Sequence, residues 1–318
     1  MLIGISTGMN LCSNLVFMKQ RASSKKVCDV GLFIQQMAFA SGSAWVNIIA
    51  FFLLEKITWR MFLLVLSLPV FIPPIVILQC FMEEVNNNIS KEEEISINNE
   101  DTPIEEGSNE NPEIGEKERP ARILRKELCN LGLLCSVSFI TLFQGLGSII
   151  LAPSVIRRFN SEANASNDDP CDNIVKGFDF LILAAINGGA NILGRIIGFS
   201  THDKFSFRII QSILSLGQVI CYGCLLIPHE NLAMASSLMG TIKLIYAIQV
   251  CEIYYGSVNP VFYRKIPLSI GCALVWGFGS LGSTTGIAFA AFLDSWTATL
   301  IALALSSFKV VCTTLINV

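Results

Sequence analysis

Residues 83–126 read EEVNNNISKEEEISINNEDTPIEEGSNENPEIGEKERPARILRK, and this polar segment divides an otherwise apolar chain into a short block and a long block. Residues 83–127 contain 14 of the 25 acidic residues but only 6 of the 22 lysines and arginines. A segment with so much charge and so few apolar side chains cannot offset the entropy that ordering costs. We therefore predict a disordered acidic linker at 83–126, which also accounts for the negative net charge of the chain.

The two blocks that flank this linker are too apolar for a water-soluble protein. The chain is 52% hydrophobic and 15% charged, with a mean hydropathy of +0.58. Its apolar runs are long enough to cross about 30 Å of hydrocarbon as helices, and they lack the alternation of barrel strands. The sequence predicts an all-α polytopic membrane protein with about nine transmembrane helices, at about 2–18, 30–54, 61–82, 128–152, 178–200, 209–228, 232–256, 267–292 and 297–318.

The basic residues predict the orientation of these helices. The connections at 19–29, 83–127, 195–208 and 257–266 hold 15 lysines and arginines, against five on the other side, and basic loops stay in the cytosol. The loop at 153–177 then faces the cell exterior or a vesicle lumen, where the sequon at Asn164 is open to glycosylation. We predict a protein of the plasma membrane or of an intracellular vesicle, with three helices in residues 1–82, a cytosolic linker, and a six-helix bundle in residues 127–318.

Charged residues inside the predicted helices are the first candidates for function, because a charge near the bilayer centre costs at least about 2.5–3.5 kcal/mol on insertion. Lys243 lies near the middle of its helix, and Glu252 follows nine residues later on the opposite face, so the two cannot pair. Each of these two residues either lines a substrate pathway, pairs with a group on another helix, or reaches the membrane interface. Arg195 lies about one turn from the predicted cytosolic end of its helix, so we expect its side chain to reach the interface.

Polar residues at helical spacing give further pathway candidates. Asn187, Asn191 and Arg195 recur every four residues and form one stripe, which should face protein or a water-filled cavity. Such residues either line a pathway or hydrogen-bond between helices. The same two interpretations apply to the remaining candidates, which are Asn10, Asn14, Gln35, Gln36 and Gln144. The glycine clusters at 145/147, 188/189 and 277/279/282/286 are typical of close contacts between membrane helices.

No pattern in the chain indicates catalysis, a cofactor or nucleic-acid binding. The 11 cysteines form no CxxC pair, and the two histidines, His202 and His229, show no metal-binding spacing. We find no nucleophile–base pair and no phosphate-binding loop. The sequence therefore predicts that the protein is not an enzyme and has no metal site or cofactor.

Several motifs resemble those of the major facilitator superfamily, most closely its organic-ion and synaptic-vesicle-related, sugar-transporter-like branch. They are Trp59-Arg60 followed by Ser67-Leu68-Pro69, Cys171 followed by Asp179-Phe180-Leu181, and Asn259-Pro260-Val261-Phe262-Tyr263 followed by Gly271. The resemblance covers nearly all of the chain outside the linker. It implies the major facilitator fold, built from four three-helix repeats, of which this chain matches the last three. On that comparison the chain is N-terminally truncated and lacks the first three helices.

Departures from the family pattern concern the cytosolic loops and one helix. Asp203, Lys204 and Arg208 match the family's cytosolic gating turn, but Ser206 and Phe207 replace its glycine and one arginine. Val261 replaces a usual glutamate, and Ser280 stands where the branch carries a basic residue.

The resemblance implies a transmembrane transporter of a small organic solute, an organic ion or a sugar-like molecule. Transport would proceed by alternating access, with or without a coupling ion. The altered turn favours an alternative, a non-transporting vesicle membrane glycoprotein that acts through a cytosolic partner of the acidic linker. A channel or a receptor is a third interpretation, which no pore signature supports.

Overall fold

The computed structural model describes residues 24–53, 56–58, 60–62, 65, 120–161, 182–227, 232–257 and 266–316. All regular structure in these residues is helical, and they contain no strand. Seven of the described helices are long and apolar enough, by length and composition, to cross a membrane. The predicted all-α membrane architecture is therefore confirmed at this level.

Each described helix coincides with one of the predicted spans, and the helix Pro120–Ser161 alone extends well beyond its span at both ends. The first predicted span and most of the third lie outside the described residues. In chain order the helices are α1 (Lys25–Leu53), α2 (Pro120–Ser161), α3 (Ala190–Thr201), α4 (Phe207–Leu226), α5 (Leu232–Ser257), α6 (Leu268–Phe292) and α7 (Ser295–Leu315). All of α2–α7, and α1 as far as Phe51, belong to one compact unit, whereas residues 52–118 belong to a second.

Helix α2 corrects two of the predicted boundaries. The linker was predicted to stay disordered to Lys126, but the helix begins at Pro120, where proline is well suited to a first helical position and the arginines and leucine that follow are good helix formers. The predicted loop at 153–177 likewise begins with helix, which continues to Ser161. At 1.5 Å per residue, these 42 residues span about 63 Å, more than a bilayer core. The part apolar enough to cross a membrane is Lys126–Ala152.

A π-helical turn at Ala185–Gly189 precedes α3 and continues directly into it, so that Ile182–Thr201 forms one candidate span. A five-residue turn, 202–206, then reverses the chain into α4. Between α6 and α7 the reversal is shorter still, and Asp294 caps α7 by accepting a hydrogen bond from Thr297 N at 2.9 Å.

Helix α5 lies at the centre of the described bundle and packs against α2, α3 and α4. Apolar residues occur all round it, as expected for a helix enclosed by others. Two apolar clusters flank it. One contains Leu134, Tyr254 and Trp276, and the other contains Tyr222 and Met239.

Close backbone contacts join α2 to α6, the most extensively packed helix pair. Gly282 and Gly286 face the backbone at Phe139 and Phe143, with no room for a side chain at either glycine. Small residues four apart allow membrane helices to approach in this way. The predicted glycine contact on α6 is therefore present, and it positions two of the helices that line the site described next.

Candidate functional site

A cavity of about 440 Å³ opens among five helices of the bundle. Its volume falls within the range typical of small-molecule sites. Helices α1, α2, α3, α5 and α6 contribute the lining, which combines aromatic, aliphatic, amide and hydroxyl side chains with one cation: Gln35, Gln36, Phe39, Leu142, Leu146, Arg195, Tyr246, Val250, Trp276, Ser280, Ser283 and Thr284.

Arg195 supplies the only charge among these lining residues, and it is nearly inaccessible to solvent, at 1% exposure. Its Nε donates a long hydrogen bond of 3.4 Å to Asn191 Oδ1, while Nη1 has no hydrogen-bond partner among the residues that the structure describes. A buried guanidinium with an unused donor in a cavity is suited to bind a carboxylate or another oxyanion.

The position of Arg195 corrects the expectation that its side chain reaches the membrane interface. Helix α3 lies so close to α5 that a Cβ at Gly194 would meet Leu244 O at 2.7 Å, and one at Gly198 would meet Cys251 Cβ at 2.7 Å. This contact turns the Asn187, Asn191 and Arg195 stripe toward the bundle interior, where all three residues are buried. The stripe therefore faces protein and the cavity, and Arg195 is enclosed.

Aromatic and polar groups form the rest of the cavity wall. Gln35 of α1 accepts a hydrogen bond from Tyr254 Oη at 2.6 Å, which connects α1 to α5 at the cavity edge. Trp276 donates its indole N–H to Ser257 Oγ at 3.3 Å. No carboxylate lines the cavity among the described residues, so its electrostatic character is set by the guanidinium.

Lys243, the sharpest candidate from the sequence, lies beside the cavity and not in its lining. Its Nζ donates to Gly145 O at 2.6 Å and lies 3.5 Å from Ser148 Oγ. The ammonium also lies 4.8 Å from the centre of the Tyr246 ring, a cation–π distance. Because Tyr246 lines the cavity, Lys243 contacts a residue of the cavity wall without lining the cavity itself.

Glu252 and Lys243 do not pair, as their opposite faces on α5 predicted. Glu252 is buried, and its Oε1 accepts a hydrogen bond from Thr201 Oγ1 at 3.3 Å at the end of α3. Lys243 therefore hydrogen-bonds to α2, and Glu252 hydrogen-bonds to α3.

A second buried lysine, Lys309 on α7, was missed by the sequence analysis. It is fully buried, and its Nζ donates to three amide oxygens, those of Gln144 at 3.1 Å, Gln218 at 2.6 Å and Gln249 at 2.8 Å. Three acceptors match the three donors of an ammonium group. The lysine therefore joins α7 to α2, α4 and α5 at once, and it accounts for Gln144, a pathway candidate, as part of this cluster.

An exposed ion pair joins the start of α1 to the turn that resembles the family's gating motif. Lys25 of α1 donates to Asp203 Oδ1 at 3.0 Å, and this hydrogen bond holds the pKa of Asp203 below its ordinary value. Lys204 and Arg208 are exposed. Two of the connections predicted to be cytosolic therefore meet at one end of the bundle. Asn10, Asn14 and the predicted glycosylation site Asn164 lie outside the described residues.

Comparison of this chain with protein-family models, with curated proteins and with solved structures found no match. The likeness to the major facilitator superfamily thus rests on the motifs quoted above. What the structure establishes is a helical protein with several helices apolar enough to cross a membrane.

Proposed function

We propose that the protein binds a small organic anion in the cavity beside Arg195 and carries it across a membrane by alternating access, as a major facilitator. The observation that carries this proposal is the buried guanidinium. Within the described part of the chain its Nη1 is unpaired and its cavity is lined by no carboxylate. A buried cation without a counter-ion is unfavourable, and an anionic solute removes that penalty.

The lining favours an anion with an aromatic or other flat apolar body. Phe39, Tyr246 and Trp276 offer ring surface, and Ser280, Ser283 and Thr284 offer hydroxyl groups on one side of the cavity. Ser280 stands where the resembled branch carries a base, so in this chain Arg195 of α3 would supply the positive charge instead. The cavity volume of about 440 Å³ lies in the range of drug-sized ligands, so a substituted single ring fits with room to spare.

Three matched solutes test the proposed specificity. Benzoate, benzamide and benzylammonium share a ring but carry a negative, a zero and a positive charge. Of the three solutes, the detergent-solubilised chain should bind benzoate most tightly in equilibrium dialysis. The reason is that a hydrogen bond to a charged group, here between Arg195 and the carboxylate, contributes about 1.5–3 kcal/mol. Equal binding of all three solutes would contradict the assignment of Arg195.

Variants at Arg195 link the binding to the site. Arg195→Gln keeps a long polar side chain but removes the charge, and should weaken benzoate binding about 10- to 150-fold. Arg195→Lys keeps the charge without the planar fork of the guanidinium. Its affinity for benzoate should lie between those of the parent chain and of Arg195→Gln. Lys126→Ala removes an exposed cation at the start of the α2 span and serves as the control.

Flux is tested with the chain reconstituted into liposomes. Uptake of labelled benzoate that is lost in Arg195→Gln would support transport. Binding of benzoate without uptake would instead support the non-transporting membrane protein, because it separates the site from the translocation step.

A further inference from the structure

Asp29, His202 and Asp203 converge at the end of the bundle where α1 begins and α3 ends. Each offers one ligand atom, and these three atoms lie within 4.8 Å of one another. Asp29 is far from the other two in sequence, so no ligand spacing revealed this group. It lies apart from the cavity and from the function proposed above.

The His202 ring is oriented by its neighbours. Its Nδ1 lies 2.7 Å from Phe199 O, so the tautomer that satisfies this carbonyl donates from Nδ1 and leaves a lone pair on Nε2. The ring stacks on Tyr255 with centroids 4.1 Å apart. Tyr255 Oη also donates to Asp29 O at 3.3 Å, which fixes the start of α1 beside the ring.

The other ring nitrogen faces the carboxylates. The His202 side chain is only 10% exposed, and no described residue forms a hydrogen bond with its buried Nε2. It lies 3.3 Å from Asp203 Oδ2 but is not in hydrogen-bonding geometry with it. A histidine that donates one N–H to a backbone carbonyl and presents the other nitrogen to carboxylates has the arrangement that ligating histidines use.

We propose that Asp29, His202 and Asp203 bind a divalent transition-metal ion with the preferences of Zn²⁺. One imidazole nitrogen and two carboxylates are a suitable three-ligand set, and water would complete the coordination. Bonds of about 2.0–2.2 Å in a tetrahedral arrangement place the ligand atoms about 3.3–3.6 Å apart. His202 Nε2 and Asp203 Oδ2 already have this spacing, at 3.3 Å. The Asp29 carboxylate therefore has to approach them by at most about 1.5 Å from the 4.8 Å limit of the group.

Lys25 lowers the expected affinity for this ion but leaves a ligand oxygen of Asp203 available. Its ammonium uses Asp203 Oδ1, whereas Oδ2 is the oxygen nearer His202. The lysine repels a metal cation and withdraws charge from the carboxylate. Lys25→Gln should therefore raise the affinity for the metal.

The bound ion would connect α1 to the turn after α3. Its ligands come from both segments, so the metal would strengthen the contact that Lys25 and Asp203 already make. In a protein that opens at this end, such an ion would hold the two connections together.

The test is Zn²⁺ binding by the full chain in detergent, measured by isothermal titration after removal of metal with a chelator. We expect one saturable site per chain. His202→Phe keeps an aromatic ring for the Tyr255 stack but removes the ligand, and should weaken binding about 100-fold or more, since loss of an outer-shell group alone costs 10- to 100-fold. Asp29→Asn should weaken it as well.

Two controls separate this site from incidental binding. Asp294→Asn changes an exposed carboxylate at the start of α7, and His229→Phe changes the other histidine of the chain; neither should alter Zn²⁺ affinity. Zn²⁺ should raise the thermal midpoint of the parent chain but not of His202→Phe. Unchanged binding in His202→Phe, or equal loss in His229→Phe, would overturn the proposal.

Discussion

Replacing Gly282 with alanine should force α2 and α6 apart. A Cβ at this position would lie 2.8 Å from the carbonyl carbon of Phe139 and 2.9 Å from its Cα, and closer still to its oxygen. Carbon atoms pack best at about 3.5–4.0 Å, so the helices must separate by roughly 1 Å. The opposing atoms belong to the backbone of a long helix and cannot rotate away. Overpacking of this kind costs about 1–3 kcal/mol in the free energy of unfolding.

Gly277 provides a matched control on the same helix. A Cβ there would meet none of the described residues within 4 Å. Both substitutions gain the helix propensity of alanine over glycine, about 0.8–1 kcal/mol. That gain cancels in the comparison, so Gly282→Ala should be less stable than Gly277→Ala by about 1–3 kcal/mol.

The difference can be measured by thermal or denaturant unfolding in detergent, followed by the circular dichroism of the helices. Gly286→Ala should behave like Gly282→Ala, because its Cβ would meet the Phe143 backbone one turn further along. Equal stability of Gly282→Ala and Gly277→Ala would refute the close contact between α2 and α6.

Three further substitutions test other contacts of the bundle. Gln144→Leu removes an acceptor of Lys309 and two donated hydrogen bonds, and should lower the free energy of unfolding by about 2–4 kcal/mol in detergent denaturation. Lys25→Gln should cost at most about 1 kcal/mol, because the pair is exposed. The pKa of Asp203 is lowered by Lys25, so this contribution is complete above about pH 5 and is lost as the pH falls through that lowered pKa, below about 3.9; the parent and Lys25→Gln melting curves should converge there. Asp294→Ala removes the cap of α7 and should lower the melting midpoint, whereas Asp294→Asn, which can still cap, should preserve it.

Hydropathy predicted the helices well because a segment that crosses hydrocarbon must be apolar, must be about 20 residues long and must satisfy its own backbone hydrogen bonds. Composition and length reveal the first two properties, and the third requires a helix. The same reasoning identified Lys243 as embedded and placed Glu252 on the opposite face. It failed at both ends of α2, where the helix continues beyond the apolar span Lys126–Ala152. Helix propensity and a favourable proline at the start decide those ends, and hydropathy measures neither.

The site was only partly predictable. The stripe of Asn187, Asn191 and Arg195 was visible as a four-residue repeat, but the burial of Arg195 depends on how closely Gly194 and Gly198 approach α5. Lys309 was predictable, because like Lys243 it is a charged residue within a predicted span. Its three glutamine partners could not, since they come from three helices whose packing no local pattern encodes.

The Lys309 ammonium has an electrical consequence. Moving one elementary charge through a membrane potential of 100 mV changes the energy by about 2.3 kcal/mol. Glutamines of α2, α4 and α5 hold this charge on α7, so it crosses part of the field only if four helices move together. Lys309 is a stationary charge with respect to that cluster.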